Sequence, residues 1–179
     1  MKTETRTAET SVAHYLAEFR DTERFFALCR QCGNFGRRYG CPPFDDADLL
    51  QVGRFRKVRI LGVKIIPDEA DLPLSAADTL IAPVVLEMNR ELLRLEKTLD
   101  GMACGFVSAC PYCGGAPCAR TQGRPCRHPE SVRPSLEALG FDVGKTAESL
   151  LDWKILWGRD GHLPEYLILV CGVFFGSSV

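Results

Sequence analysis

KVRILGVKII (Lys57–Ile66) and EYLILVCGVF (Glu165–Phe174) decide how this chain folds. The first is rich in β-branched residues and stops at Pro67, so it reads as a strand. The second lies in an apolar run, Tyr166 to Phe175, that falls short of the ~20 residues a membrane-spanning helix needs; it reads as a buried strand closing the chain. Between them, Ser75–Leu99 is the clearest helix. Leu80, Val84, Val85, Met88, Leu92 and Leu95 form one apolar stripe, Ser75 stands where a cap is expected, and Gly101 follows the end. Pro83 inside that pattern predicts a kink, or a later start near Ala82. Upstream, Val12–Leu28 carries Tyr15, Leu16, Phe19 and Phe26 at helical spacing behind a capping Ser11. Downstream, Met102–Ser108 reads as a short strand, and Arg133–Gly140 and Lys145–Leu156 as short helices. The order predicts an α/β or α+β fold, a small mixed sheet flanked by helices, with two cysteine-rich metal-binding loops at one edge.

Composition sets the outer limits. At 179 residues with 46% hydrophobic content, the chain suits one core, expected over residues 11–179 behind a flexible N-terminus at 1–10. The opening MKTETRTAETS lacks the apolar stretch of a signal peptide, which predicts a cytoplasmic protein. A formal net charge of -1 gives no global attraction to nucleic acid or to an anionic membrane, so neither is expected as a partner. An odd count of nine cysteines in a reducing compartment argues against a disulfide framework and for metal or redox chemistry.

Seven of the nine cysteines fall in two windows. CPYCGGAPCARTQGRPCRHP holds Cys110, Cys113, Cys118 and Cys126 in the spacing C-x2-C-x4-C-x7-C. Its prolines and glycines break regular structure and let a loop curl its sulfurs toward one centre. Zinc ribbons separate two C-x2-C pairs by ~15 to 20 residues, whereas here four ligands crowd one loop, which favours an iron–sulfur cluster, 4Fe-4S first, over structural zinc. Arg120, Arg124, Arg127 and Arg133, opposed only by Glu130, give that anionic group a positive setting. Backbone N–H groups near Gly114 and Gly115 are placed to hydrogen-bond its sulfurs.

The other window, CRQCGNFGRRYGCPP, offers three thiolates: Cys29, Cys32 and Cys41. A fourth ligand is open between Cys104 and Cys171, or is missing, leaving an open metal position of the kind catalytic sites keep; all seven cysteines serving one site is a further option. Cys171, in an apolar strand, reads as a core residue. His128, beside Cys126, is expected to hydrogen-bond a cluster sulfur or the backbone rather than to ligate, while His14 and His162 have no neighbours that suggest a site.

These residues resemble the DUF2284 family of predicted metal-binding proteins. Its early C-x2-C-x2-[YF]-G block ending in Cys-Pro-Pro is matched by Cys29, Cys32, Phe35, Gly36, Cys41, Pro42 and Pro43. Its later C-R-H-P-x3-R-P-S-x-E-A-x-G-x-D-V stretch is matched by Cys126, Arg127, His128, Pro129, Arg133, Pro134, Ser135, Glu137, Ala138, Gly140, Asp142 and Val143. Where that family usually spaces its middle cysteines C-x2-C-x2-C, this chain has four residues between Cys113 and Cys118. The resemblance implies a metal-binding protein with one or two iron–sulfur clusters, and supplies no substrate.

Three function classes follow. One is an electron carrier with a redox partner protein, its cluster on Cys110, Cys113, Cys118 and Cys126. The second is an enzyme whose open-site cluster meets a small anionic substrate, with Arg127, His128, Arg133 and Glu137 as polar groups at the cofactor. The third is a zinc protein with a macromolecular partner. Neither a phosphate-cradling G-x-x-x-x-G-K-[ST] nor a dinucleotide G-x-G-x-x-G occurs.

Overall fold

A computed structural model describes residues 1–44, 51–106 and 110–177. Four strands, β1 (Lys2–Ser11), β2 (Phe55–Ile66), β3 (Met102–Cys104) and β4 (Leu167–Ser177), form one sheet in the order β1-β2-β4-β3. Every neighbouring pair is antiparallel, so the fold is α+β and the expected mixed sheet is an antiparallel one. The cause is where the last strand goes. A helix, α3 (Ala77–Thr98), carries the chain from β2 to β3, which run the same way, and β4 then enters between them against both.

Residue alternation divides the two central strands between two cores. Val58 and Ile60 of β2 with Val170 and Phe174 of β4 face one way; Leu61, Val63 and Ile65 with Leu169, Cys171 and Val173 face the other. The second face is covered by α3, whose buried Val84, Val85, Met88, Leu92 and Leu95 are the stripe read from the sequence. Pro83 lies inside this helix, which starts at Ala77 after a 3-10 turn at Leu74–Ala76, and Ser75 makes no capping bond. Interrupting a helix with proline costs about 3 kcal/mol. Burying five aliphatic side chains, each contributing about 1.5–3 kcal/mol, outweighs it.

The first face is covered by α1 (Val12–Phe19), α4 (Val143–Leu151) and the segment between Leu136 and Phe141. Tyr15 stacks on Phe141 with ring centroids 4.6 Å apart, and its hydroxyl meets the Thr146 hydroxyl at 3.0 Å. That same segment breaks the single helix expected over Val12–Leu28. Asp142 N–H donates to Phe19 O at 2.7 Å and Asp21 N–H to Gly140 O at 2.8 Å, so α1 stops and α2 (Thr22–Gln31) starts afresh, capped by Asp21. Gly140 sits at φ +88 with Thr22 so close that a Cβ would lie 2.8 Å from its Cα. The helix expected over Arg133–Gly140 is accordingly only a 3-10 turn, Glu137–Leu139.

Three other boundaries shift. Residues 1–10 are expected to be a flexible N-terminus, yet Lys2–Ser11 form β1, whose threonines and alternating charges pair with β2 from Lys2↔Ile66 to Ser11↔Lys57. The helix expected over Lys145–Leu156 ends at Leu151, whose carbonyl accepts a 2.6 Å bond from Arg6 of β1. Of the strand expected over Met102–Ser108, β3 takes the first three residues, and 107–109 lie outside the described residues. Ser11 caps α1 as expected, accepting from His14 N–H.

Gly62 of β2 is where α4 comes closest to the sheet: a Cβ there would meet Leu151 Cδ1 at 2.4 Å and the Trp153 ring at 3.2 Å. Gly62→Ala should cost about 1–3 kcal/mol by overpacking. A denaturant midpoint equal to that of the unmodified protein would show that the Leu151–Trp153 turn shifts freely.

Candidate metal centre

Each window grows from a different part of the fold. The last turn of α2 carries Cys29, and Cys32 caps that helix through its N–H to Cys29 O at 3.0 Å. Successive turns, Phe35 to Cys32, Arg37 to Asn34 and Cys41 to Arg38, then bring the chain round to Cys41 and a cis Pro42–Pro43 bond. The second window follows β3. It is built from two 3-10 turns, Pro111–Cys113 and Ala119–Gln122.

Arg120 docks one window on the other. Its guanidinium donates to Arg38 O and Cys41 O at 2.6 Å each and to Pro43 O at 2.8 Å, and it lies 5.7 Å from the Tyr39 ring. The Tyr39 hydroxyl in turn donates to Arg124 O. Behind the second window, the half-buried Arg133 makes a forked ion pair with Glu96 of α3, and Asn89 of the same helix donates to the Tyr112 hydroxyl and to Ser131 O. Burial raises the Glu96 pKa, but the bonds from Arg133 and from Ala103 N–H, with the arginine's charge, outweigh it and hold the carboxyl below its ordinary value.

The result is a cavity of about 90 Å³ lined by five thiols: Cys110, Cys113, Cys118 and Cys126 of the second window, and Cys41 of the first. A single ordered water needs roughly 10–15 Å³ by this measure, so the space admits a larger guest. Three of these sulfurs accept hydrogen bonds. Tyr112 N–H serves Cys110, His128 N–H serves Cys126 at 3.4 Å, and the Arg127 guanidinium serves Cys113 at 3.5 Å. The donors expected near Gly114 and Gly115 are thus supplied by Tyr112 and His128. Donors aimed at sulfur favour thiolate over thiol, which is what a metal requires.

All nine cysteines are free thiols. Among the described residues, no three His, Cys, Asp or Glu side chains converge on one ion-sized point. The electrostatics shows the thiols to be neighbours nonetheless. Burial first, then charge on Cys113, Cys118 and Cys126, raises the Cys110 pKa, with Tyr112 N–H acting against it. In the first window, burial and the charge of Cys32 and Cys29 raise Cys41, while Arg38 and Arg120 lower it; burial, Cys32 and Glu137 raise Cys29. Gathering thiolates without a cation is opposed by their mutual repulsion, and the four-sulfur donor set with its hydrogen bonds fits a soft metal or an iron–sulfur group.

Cys104 and Cys171 are elsewhere. Both are fully buried, one in each core, and burial pushes the Cys171 thiol up to about 12 and that of Cys104 further. The open fourth position of the first window is filled by neither. His128 and Arg133 line the five-thiol cavity, but Arg133 spends its guanidinium on Glu96, Pro129 O and Val132 O. Sequence reading passed over Asn89 and Tyr112. The available signal was an asparagine on the apolar stripe, between Met88 and Leu92.

Glu137 lies outside the cavity, with its Oε2 enclosed and without a hydrogen-bond partner. Burial is the main cause that pushes its carboxyl up to about 7, against bonds from its own N–H and from Ser135. Below pH 4.5, the ordinary glutamate value, folded and unfolded chains both hold this proton; as pH rises to 7 the fold retains it longer, and stability falls. Glu137→Gln should remove that slope, leaving the variant more stable than the parent at pH 8 by about 2–3 kcal/mol and equal to it at pH 4. Denaturant titrations of the metal-free protein at both pH values measure the difference, and parallel slopes would place the carboxyl in water. Arg120→Met should release the first window from the second, raising amide exchange at residues 36–41 by an order of magnitude or more while β2 and β4 stay protected; unchanged exchange there would make the clamp incidental.

No curated protein and no solved structure matches this chain. A family model does, over residues 16–174, nearly its whole length and including every cysteine of both windows. The chain belongs to the DUF2284 family, described as predicted metal-binding proteins.

Proposed function

We propose that this metal-binding protein is an iron–sulfur protein working in electron transfer, with a 4Fe-4S group held by Cys110, Cys113, Cys118 and Cys126. The observation that carries the reading is the placement of those four thiols on one cavity, three of them accepting hydrogen bonds. A cluster bound there supplies one-electron chemistry at a potential tuned by hydrogen bonds to its sulfurs. The chain's own part is to hold the sulfurs ionised. Arg127 donates to Cys113, Tyr112 and His128 turn their N–H groups to Cys110 and Cys126, and Arg120 adds positive charge beside Cys41. The room between the sulfurs supports a multinuclear group over a single zinc ion.

A second reading rests on the first window. With Cys104 and Cys171 in the cores, Cys29, Cys32 and Cys41 have no fourth cysteine, which supports a second metal with an open position and, through it, chemistry on a small anion.

The test is metal and sulfide analysis of protein purified without oxygen, with visible spectra before and after reduction. Near-equal iron and acid-labile sulfide with a reducible brown colour is expected; colourless protein with about one zinc per chain and no sulfide would overturn the reading. Cys118→Ala should abolish the cluster despite the unusual spacing, whereas Cys171→Ala should leave iron and sulfide unchanged. Loading the metal-free protein should release protons, because thiols raised by burial and mutual repulsion must ionise to bind. Calorimetry in buffers of different ionisation enthalpy counts them.

A further inference from the structure

The cysteine windows are also strongly basic. Residues 29–44 and 110–134 together carry seven arginines and one glutamate, net +6, while the remaining residues hold fifteen basic and twenty-two acidic side chains, net −7. Not one of the chain's six lysines lies in these segments. Arginine alone has the planar fork that binds carboxylates in pairs, and it is enriched at protein interfaces where lysine is depleted.

Exposure sorts the seven, of which Arg38 is half-buried on the cavity wall. Arg133 is tied to Glu96, and Arg120 to three carbonyls of the first window. Arg30, Arg37, Arg124 and Arg127 are exposed, and among the described residues no carboxylate pairs with any of them. They stand beside the thiols: Arg127 lines the five-thiol cavity, Arg37 precedes Arg38 on its wall, and Arg124 sits where its carbonyl takes the Tyr39 hydroxyl. Arg30 lies between Cys29 and the exposed Cys32, and the neighbouring Leu28 is 53% exposed. An exposed leucine two residues from an exposed arginine adds an apolar contact of the kind protein-binding surfaces use.

We infer that this arginine rim is the docking surface for a folded acidic protein, one that presents Asp and Glu carboxylates to Arg30, Arg37, Arg124 and Arg127 at the mouth of the cysteine site. The inference rests on the electron-transfer reading and names its partner by chemistry. A folded partner is favoured over nucleic acid by the charge map. The chain as a whole carries a net charge of -1, which offers no global attraction to an extended polyanion, whereas the acidic patch of a folded protein meets the rim within a screening length of ~8 Å at physiological salt.

The test uses the protein as purified without oxygen and three probes: an acidic flavodoxin, the basic cytochrome c, and duplex DNA. Titration calorimetry across a salt series should give binding to the flavodoxin that weakens as salt rises, with none to cytochrome c. Arg30→Glu with Arg37→Glu should weaken flavodoxin binding on the order of tenfold or more at low salt, with iron and sulfide unchanged. Equal affinity in the double variant, salt-independent binding, no binding to the flavodoxin, or tighter binding to DNA would each overturn the docking surface. Salt-sensitive flavodoxin binding by protein that lacks iron and sulfide would support the surface while the electron-transfer reading fails.

Discussion

The guanidinium of Arg120 is the contact on which the candidate site depends. The two windows come from distant stretches of chain, one at the end of α2 and the other after β3, and neither packs its cysteines into a core. Three carbonyls of the first window, at Arg38, Cys41 and Pro43, converge on this one side chain of the second. Carbonyl groups in tight turns lack partners from regular structure and must find them elsewhere. A charged donor with a fixed fork satisfies three at once and brings Cys41 to the cavity of the other four thiols.

That arrangement places opposed demands on charge. Thiols brought together resist ionisation, and burial adds to the resistance, as the raised Cys110 and Cys41 show. The windows answer with arginine and with N–H groups turned to sulfur, and only part of that positive charge is turned inward. Arg120 and Arg133 have protein acceptors, so their charge is fixed in place behind the thiols; the exposed arginines remain for whatever approaches from outside.

The fold was legible wherever burial alone sets the pattern. β2, β4 and the α3 stripe were readable because each presents a continuous apolar signal that the cores then use. Reading failed where a distant backbone decides. Nothing between Val12 and Leu28 announces a break at Arg20, because the break is made by Gly140 and Asp142, more than a hundred residues away. β1 was missed since an edge strand has one covered side and its polar threonines resemble a loosely held terminus. At the site, the cysteine spacing pointed to the second window, whose four thiols line one cavity, but the contact between windows depends on Arg120, which looked like one charge among several.

Cys104 and Cys171 show how the fold separates two uses of one residue type. Both stand within the sheet, Cys104 of β3 opposite Gly172 and Cys171 of β4 opposite Leu61, where burial holds the thiol neutral and packing is all it can do. The seven window cysteines lie outside both cores, Cys29 in the last turn of α2 and the other six on turns and loops, where charge from arginines and N–H groups is available and ionisation can be supported. A cysteine's chemistry here follows from its distance to a donor rather than from its neighbours in sequence: Cys104 is six residues from Cys110 along the chain, yet the first belongs to the core and the second to the site.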